Sequence, residues 1–137
     1  MFSWLANVIP DHGFHPVVNH FPIALFLFGA GLEFLGAWRK DVVVRRVAFW
    51  NLAAGSISTI VVIPTGVAAY FLSDYTWNGM VIIHITSAAS AIVLMASVAL
   101  WRRTGPHTSP TYFTLLSLAA IALGVAGYYG GELIYGL

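Results

Sequence analysis

The sequence predicts an all-α protein, a four-helix transmembrane bundle of up-down-up-down topology. Three observations carry this: four apolar stretches of membrane-spanning length, connections too short to separate them, and basic residues confined to two of those connections. The composition excludes a soluble alternative. Of 137 residues, 59% are hydrophobic and 8% charged, whereas a soluble domain carries about 25% charged residues. The length suits one domain, residues 1–137, with no linker and no low-complexity tract.

The stretches run from about Val17 to Trp38, Val47 to Leu72, Gly79 to Trp101 and Thr111 to Tyr135. Each reaches the roughly 20 residues that a helix needs to cross the hydrocarbon. The second contains Pro64-Thr65-Gly66, where a kink or an opened backbone is expected. The connections, Arg39–Arg46, Ser73–Asn78 and Arg102–Pro110, force antiparallel neighbours.

Arg39, Lys40, Arg45, Arg46, Arg102 and Arg103 are all the basic residues, and they fall on one side of a four-span chain. The positive-inside rule makes that side cytoplasmic. Both termini then face outward, to the periplasm of a bacterium, and the chain is a multi-pass protein of the inner membrane. Trp38, Trp50 and Trp101 mark the inner interface, and Trp4, Tyr70, Tyr75 and Trp77 the outer one. Met1-Phe2-Ser3-Trp4-Leu5 has no basic n-region, so the first span is expected to serve as its own insertion signal.

Several chemistries are excluded or unsupported. No basic tract exists for nucleic acid. The absence of cysteine removes disulfides, Cys-ligated clusters and covalently attached haem. No nucleophile–base arrangement appears, so the chain is read as a carrier or accessory subunit rather than a stand-alone catalyst.

Histidine is the informative residue. His107 lies in a basic loop, whereas His12, His15, His20 and His84 belong to the outer half. His20 lies about one turn into the first span and His84 five residues beyond Gly79. At 1.5 Å per residue the two imidazoles share a depth on different helices, the arrangement of an axial pair for a b-type haem. His15 is the reserve ligand. It stands five residues from His20, about 140° around a helix, so the two do not share a face. Glu132 lies in the same layer and is a candidate hydrogen-bond partner for a ligand imidazole. The small residues after His84 and the glycines of the fourth span leave room for a planar guest, although such stripes are also the ordinary way in which membrane helices approach. Glu33 is buried deeper, with Asn51 or Ser58 as expected polar contacts.

The segment His15-Pro16-Val17-Val18-Asn19-His20-Phe21-Pro22-Ile23-Ala24 resembles the opening signature of a bacterial family of four-span membrane proteins, domain of unknown function 2231. The histidine early in span three and Gly130-Gly131-Glu132-Leu133-Ile134-Tyr135 resemble its other two signatures. The resemblance implies a companion of redox modules, including Rieske-type and cytochrome c domains. It carries over to His15, His20, His84, Gly131 and Glu132.

Three functions therefore compete. The first is an electron-transfer subunit holding haem b through His20 and His84 and exchanging electrons with a quinol or a periplasmic cytochrome. The second is a non-catalytic scaffold subunit of a larger membrane complex, its histidines structural or ligating a pigment rather than haem. The third is a copper or zinc site formed by Asp11, His12, His15 and His20.

Overall fold

The computed structural model describes residues 14–72, 76–105 and 107–136. Four helices follow one another: α1 (Phe14–Arg39), α2 (Val42–Leu72), α3 (Gly79–Thr104) and α4 (Pro110–Tyr135). All four are long and apolar enough to cross a membrane. Each begins or ends beyond the apolar stretch that announced it. α2 in particular starts at Val42, which brings Arg45 and Arg46 from the expected loop into its first turns. Its 31 residues span about 46 Å at 1.5 Å per residue, more than a hydrocarbon core of about 30 Å.

The α1–α2 turn is a Schellman closure. Asp41 N–H donates to Gly36 O at 2.9 Å and Lys40 N–H to Ala37 O at 3.3 Å, with Lys40 left-handed at φ 55°. Asp41 Oδ1 then accepts from the Val43 and Val44 amides and caps α2. Asn78 caps α3 through Val81 N–H, and Ser109 caps α4 through Tyr112 N–H with Pro110 following.

The sequence predicts a kink or an opened backbone at Pro64; the helix of α2 runs on through it, so the backbone is not opened there. Thr65, the next residue, turns its hydroxyl back to Val62 O at 2.9 Å and Val61 O at 3.2 Å.

α1 packs chiefly on α2, and α3 on α4; the α2–α3 and α1–α4 seams are thinner. The helices thus stand around a square, with α1 diagonal to α3. The first pair interlocks at two glycines. A Cβ on Gly29 would lie 2.9 Å from Leu52 N, and one on Gly55 would lie 2.9 Å from Phe26 N. Without a hydrophobic drive between helices in lipid, such backbone approach is what holds them together. The shared core is a column through Phe26, Leu52, Met95, Val98, Tyr112 and Leu116, while Phe28, Ile57, Ile60, Val93 and Ile121 point outward.

Candidate functional site

The bundle has two polar layers, a histidine layer at one end and an arginine layer at the other.

At the histidine end a cavity of about 510 Å³ opens among all four helices. Its walls are mostly apolar, formed by residues such as Ile23, Val62, Ala88 and Leu123, and His15 and His84 face it from diagonal helices. The α1 residues buried along one stripe are Pro22, Phe26, Gly29, Ala30, Glu33 and Gly36. Stepping back seven residues from Pro22 reaches His15, so this histidine continues the inward face. In α3, His84 stands seven residues before buried Ala91 and eleven before Met95, again on the inward stripe.

The two rings are held by the same local device. His84 Nδ1 donates to Ala126 O at 2.8 Å. That carbonyl lies one turn before Gly130, and a Cβ there would come within 2.9 Å of His84 Cε1. The missing side chain at Gly130 is what lets the imidazole reach the backbone of α4. His15 meets α2 in the same way. Its Nδ1 lies 3.1 Å from Thr65 Oγ1, and its ring also interacts with the Val62 carbonyl, one turn before Gly66. A Cβ on Gly66 would lie 2.9 Å from His15 Cε1.

The Ala126 carbonyl only accepts, so His84 carries a proton on Nδ1. Thr65 Oγ1 can accept from or donate to His15 Nδ1, and its hydroxyl also reaches the Val61 and Val62 carbonyls. A ring tied as His84 is leaves Nε2 as the free nitrogen, the arrangement of metal-bound histidines whose other nitrogen donates to a carbonyl.

The remaining outer residues are placed differently. His20 lines the cavity but is exposed, with Nδ1 turned back to Pro16 O. Gly131 lines the cavity with open space around it, whereas its neighbour Gly130 receives the His84 ring. Glu132 bonds Tyr128 one turn earlier rather than an imidazole; the acceptor for His84 is Ala126 O. His12 and Asp11 lie outside the described residues, and among those described no three His, Asp or Glu side chains cluster for a metal.

The arginine layer is the feature that the spacing did not reveal. Glu33, fully buried, meets neither Asn51 nor Ser58, whose side chains bond Val47 O and Gly55 O in their own helix. Instead Glu33 Oε1 accepts from Arg45 Nε at 3.1 Å, from Arg45 Nη2, and from Arg102 Nε at 3.0 Å. Arg45 also donates to His107 O at 2.8 Å and Arg102 to Arg45 O at 3.1 Å. The layer so ties α1, α2, α3 and the α3–α4 turn. The signal available in the sequence was a lone intramembrane carboxylate twelve residues from a basic residue across a tight turn; a buried carboxylate in lipid needs such a partner.

The four apolar helices define a small multi-pass membrane protein. The chain belongs to the family described as Predicted membrane protein (DUF2231), whose model matches residues 11–137. No curated protein and no solved structure matches it.

Proposed function

We propose that this protein is an electron-carrying membrane subunit whose cavity at the histidine end takes a b-type haem, with His15 and His84 as the residues that would hold it. One observation carries the reading. Two imidazoles on diagonal helices, each tied by Nδ1, face one apolar chamber of about 510 Å³. That volume falls within the roughly 300–1,000 Å³ of small-molecule sites. The cradle fits the group: glycines seat both rings against backbone, and the donor set is two imidazoles, a set suited to iron.

When bound, the haem supplies one-electron chemistry. The chain's own part is to orient the two imidazoles, to exclude water with its apolar walls and to set the ring basicity through Ala126 O and Thr65 Oγ1. His20, on the exposed rim, is a surface group of this site. A carrier with so little surface outside the membrane works beside other redox subunits, with a quinol or a soluble cytochrome as exchange partner. The histidine end faces the outside of a bacterial inner membrane in this reading, because the basic end faces the cytoplasm.

The test is the absorption spectrum of protein purified from a haem-sufficient host, oxidised and reduced. A Soret band and a b-type α-band are expected in the wild type and in His20→Ala. Both bands are expected to vanish in His15→Ala and His84→Ala. A wild type without a Soret band that also takes up no added haemin would sink the proposal.

A further inference from the structure

We propose that the arginine end carries a binding site for a phosphate group. A second cavity, of about 250 Å³, lies there between α2, α3 and the α3–α4 turn, lined by Val42, Arg45, Arg46, Phe49, Arg102 and His107. It holds about eight waters' worth of space at roughly 30 Å³ each, room for a phosphate and part of its ester.

Charge is the first argument. Three guanidinium groups border the cavity; Glu33 is bonded to two of them, Arg45 and Arg102, and its single negative charge against three positive ones leaves a net charge of two. Both bonded arginines use the same oxygen, Glu33 Oε1. Their side chains keep 12% exposure each, so they are not sealed away. Arg46 is exposed, with no ion pair among the described residues.

Geometry is the second argument. The fork of Arg45 is fixed by Glu33 and His107 O, and that of Arg102 by Glu33 and Arg45 O. Guanidinium groups already held in place lose little entropy on meeting a phosphate, and Nη1 of each, which none of these bonds uses, joins Arg46 as the donor set. The amides at the start of α2 are already occupied by Asp41 Oδ1, so the guanidinium groups provide the attraction. Phe49 and Val42 add an apolar wall beside the charged one, and exposed Trp38 and Trp50 mark a bilayer interface at this end. Basic pockets between spans at such a depth take phosphate head groups.

The ligand chemistry is a phosphate ester or free phosphate held by arginine, and the source is separable. Purified full-length protein in a neutral detergent is titrated with phosphatidylglycerol, with phosphatidylcholine and with inorganic phosphate, and bound species are read by native mass spectrometry. A lipid site predicts retention of phosphatidylglycerol at least tenfold above phosphatidylcholine, with inorganic phosphate competing weakly. A soluble-phosphate site predicts saturable inorganic phosphate binding with no preference between the lipids. Arg46→Gln, at an exposed residue outside the Glu33 network, lowers either affinity about fivefold, the factor of one basic residue against an anionic surface. Equal retention of the two lipids together with no phosphate binding overturns the site, and so does an Arg46→Gln protein that binds like the wild type. None of these readouts involves the haem proposal.

Discussion

Glu33 shows how one side chain decides the stability of an otherwise apolar bundle. It is fully buried, it bonds both Arg45 and Arg102, and it draws α1, α2 and α3 to one point. Breaking a buried pair by removing one partner costs about 3–5 kcal/mol, because the other charge stays buried. Glu33→Ala leaves two guanidinium groups uncompensated, so its melting temperature in detergent should fall steeply. The triple replacement Glu33→Leu, Arg45→Met, Arg102→Met should recover most of that loss, since apolar groups of similar volume substitute well for a buried ion network. A triple variant no more stable than Glu33→Ala would show that the layer acts through something other than charge balance. The histidine layer was partly legible at this scale. Imidazoles at matched depth pointed to His20 and His84, but depth alone does not tell which face of α1 a residue occupies. The stripe from Pro22 to Gly36 extends back to His15, and it is the Gly66 and Gly130 cradles, invisible to spacing, that seat the rings. The Glu33 network was not legible, because Arg45 reads as a loop charge until α2 is known to begin at Val42.

The elements themselves were the most legible part, since length and hydropathy define a span almost without regard to partners. Their ends were less so. Capping by Asp41 starts α2 at Val42, ahead of its apolar run, and takes Arg45 and Arg46 into the helix. The pairing of elements needed the small residues, which close approach uses selectively. Gly29 and Gly55 meet backbone within 3 Å, whereas Gly31 and Gly124 have nothing within 4 Å of a built Cβ. Gly55→Val should therefore separate α1 from α2 and yield protein that elutes aggregated in gel filtration, while Gly31→Ala should elute like the wild type. Comparable behaviour of the two variants would mean that the α1–α2 contact does not hold the pair. The turn between them carries a smaller effect. Lys40 occupies a left-handed position that favours glycine, with φ 55°, and Lys40→Gly should raise stability by about 1 kcal/mol, read as a higher melting temperature.

At the scale of the whole molecule the two ends differ in kind, and that difference sets its direction in the membrane. One end gathers Arg39, Lys40, Arg45, Arg46, Arg102 and Arg103; the other gathers His15, His20, His84 and Glu132. Translocating six cationic groups is unfavourable against the inside-negative potential and the anionic inner leaflet, by about 2.3 kcal/mol per charge per 100 mV for the potential alone. The basic end should therefore stay in the cytoplasm, and the outer cavity should open towards the exterior. The absence of native cysteine makes the test clean. Thr76, before α3, and Thr104, at its far end, are both exposed and lie at opposite ends of one helix. In intact bacterial cells a membrane-impermeant maleimide should label Thr76→Cys and spare Thr104→Cys until the membrane is permeabilised. The reverse pattern would turn the molecule over, placing the phosphate-binding arginines outside and the histidine cavity within reach of cytoplasmic rather than periplasmic electron donors.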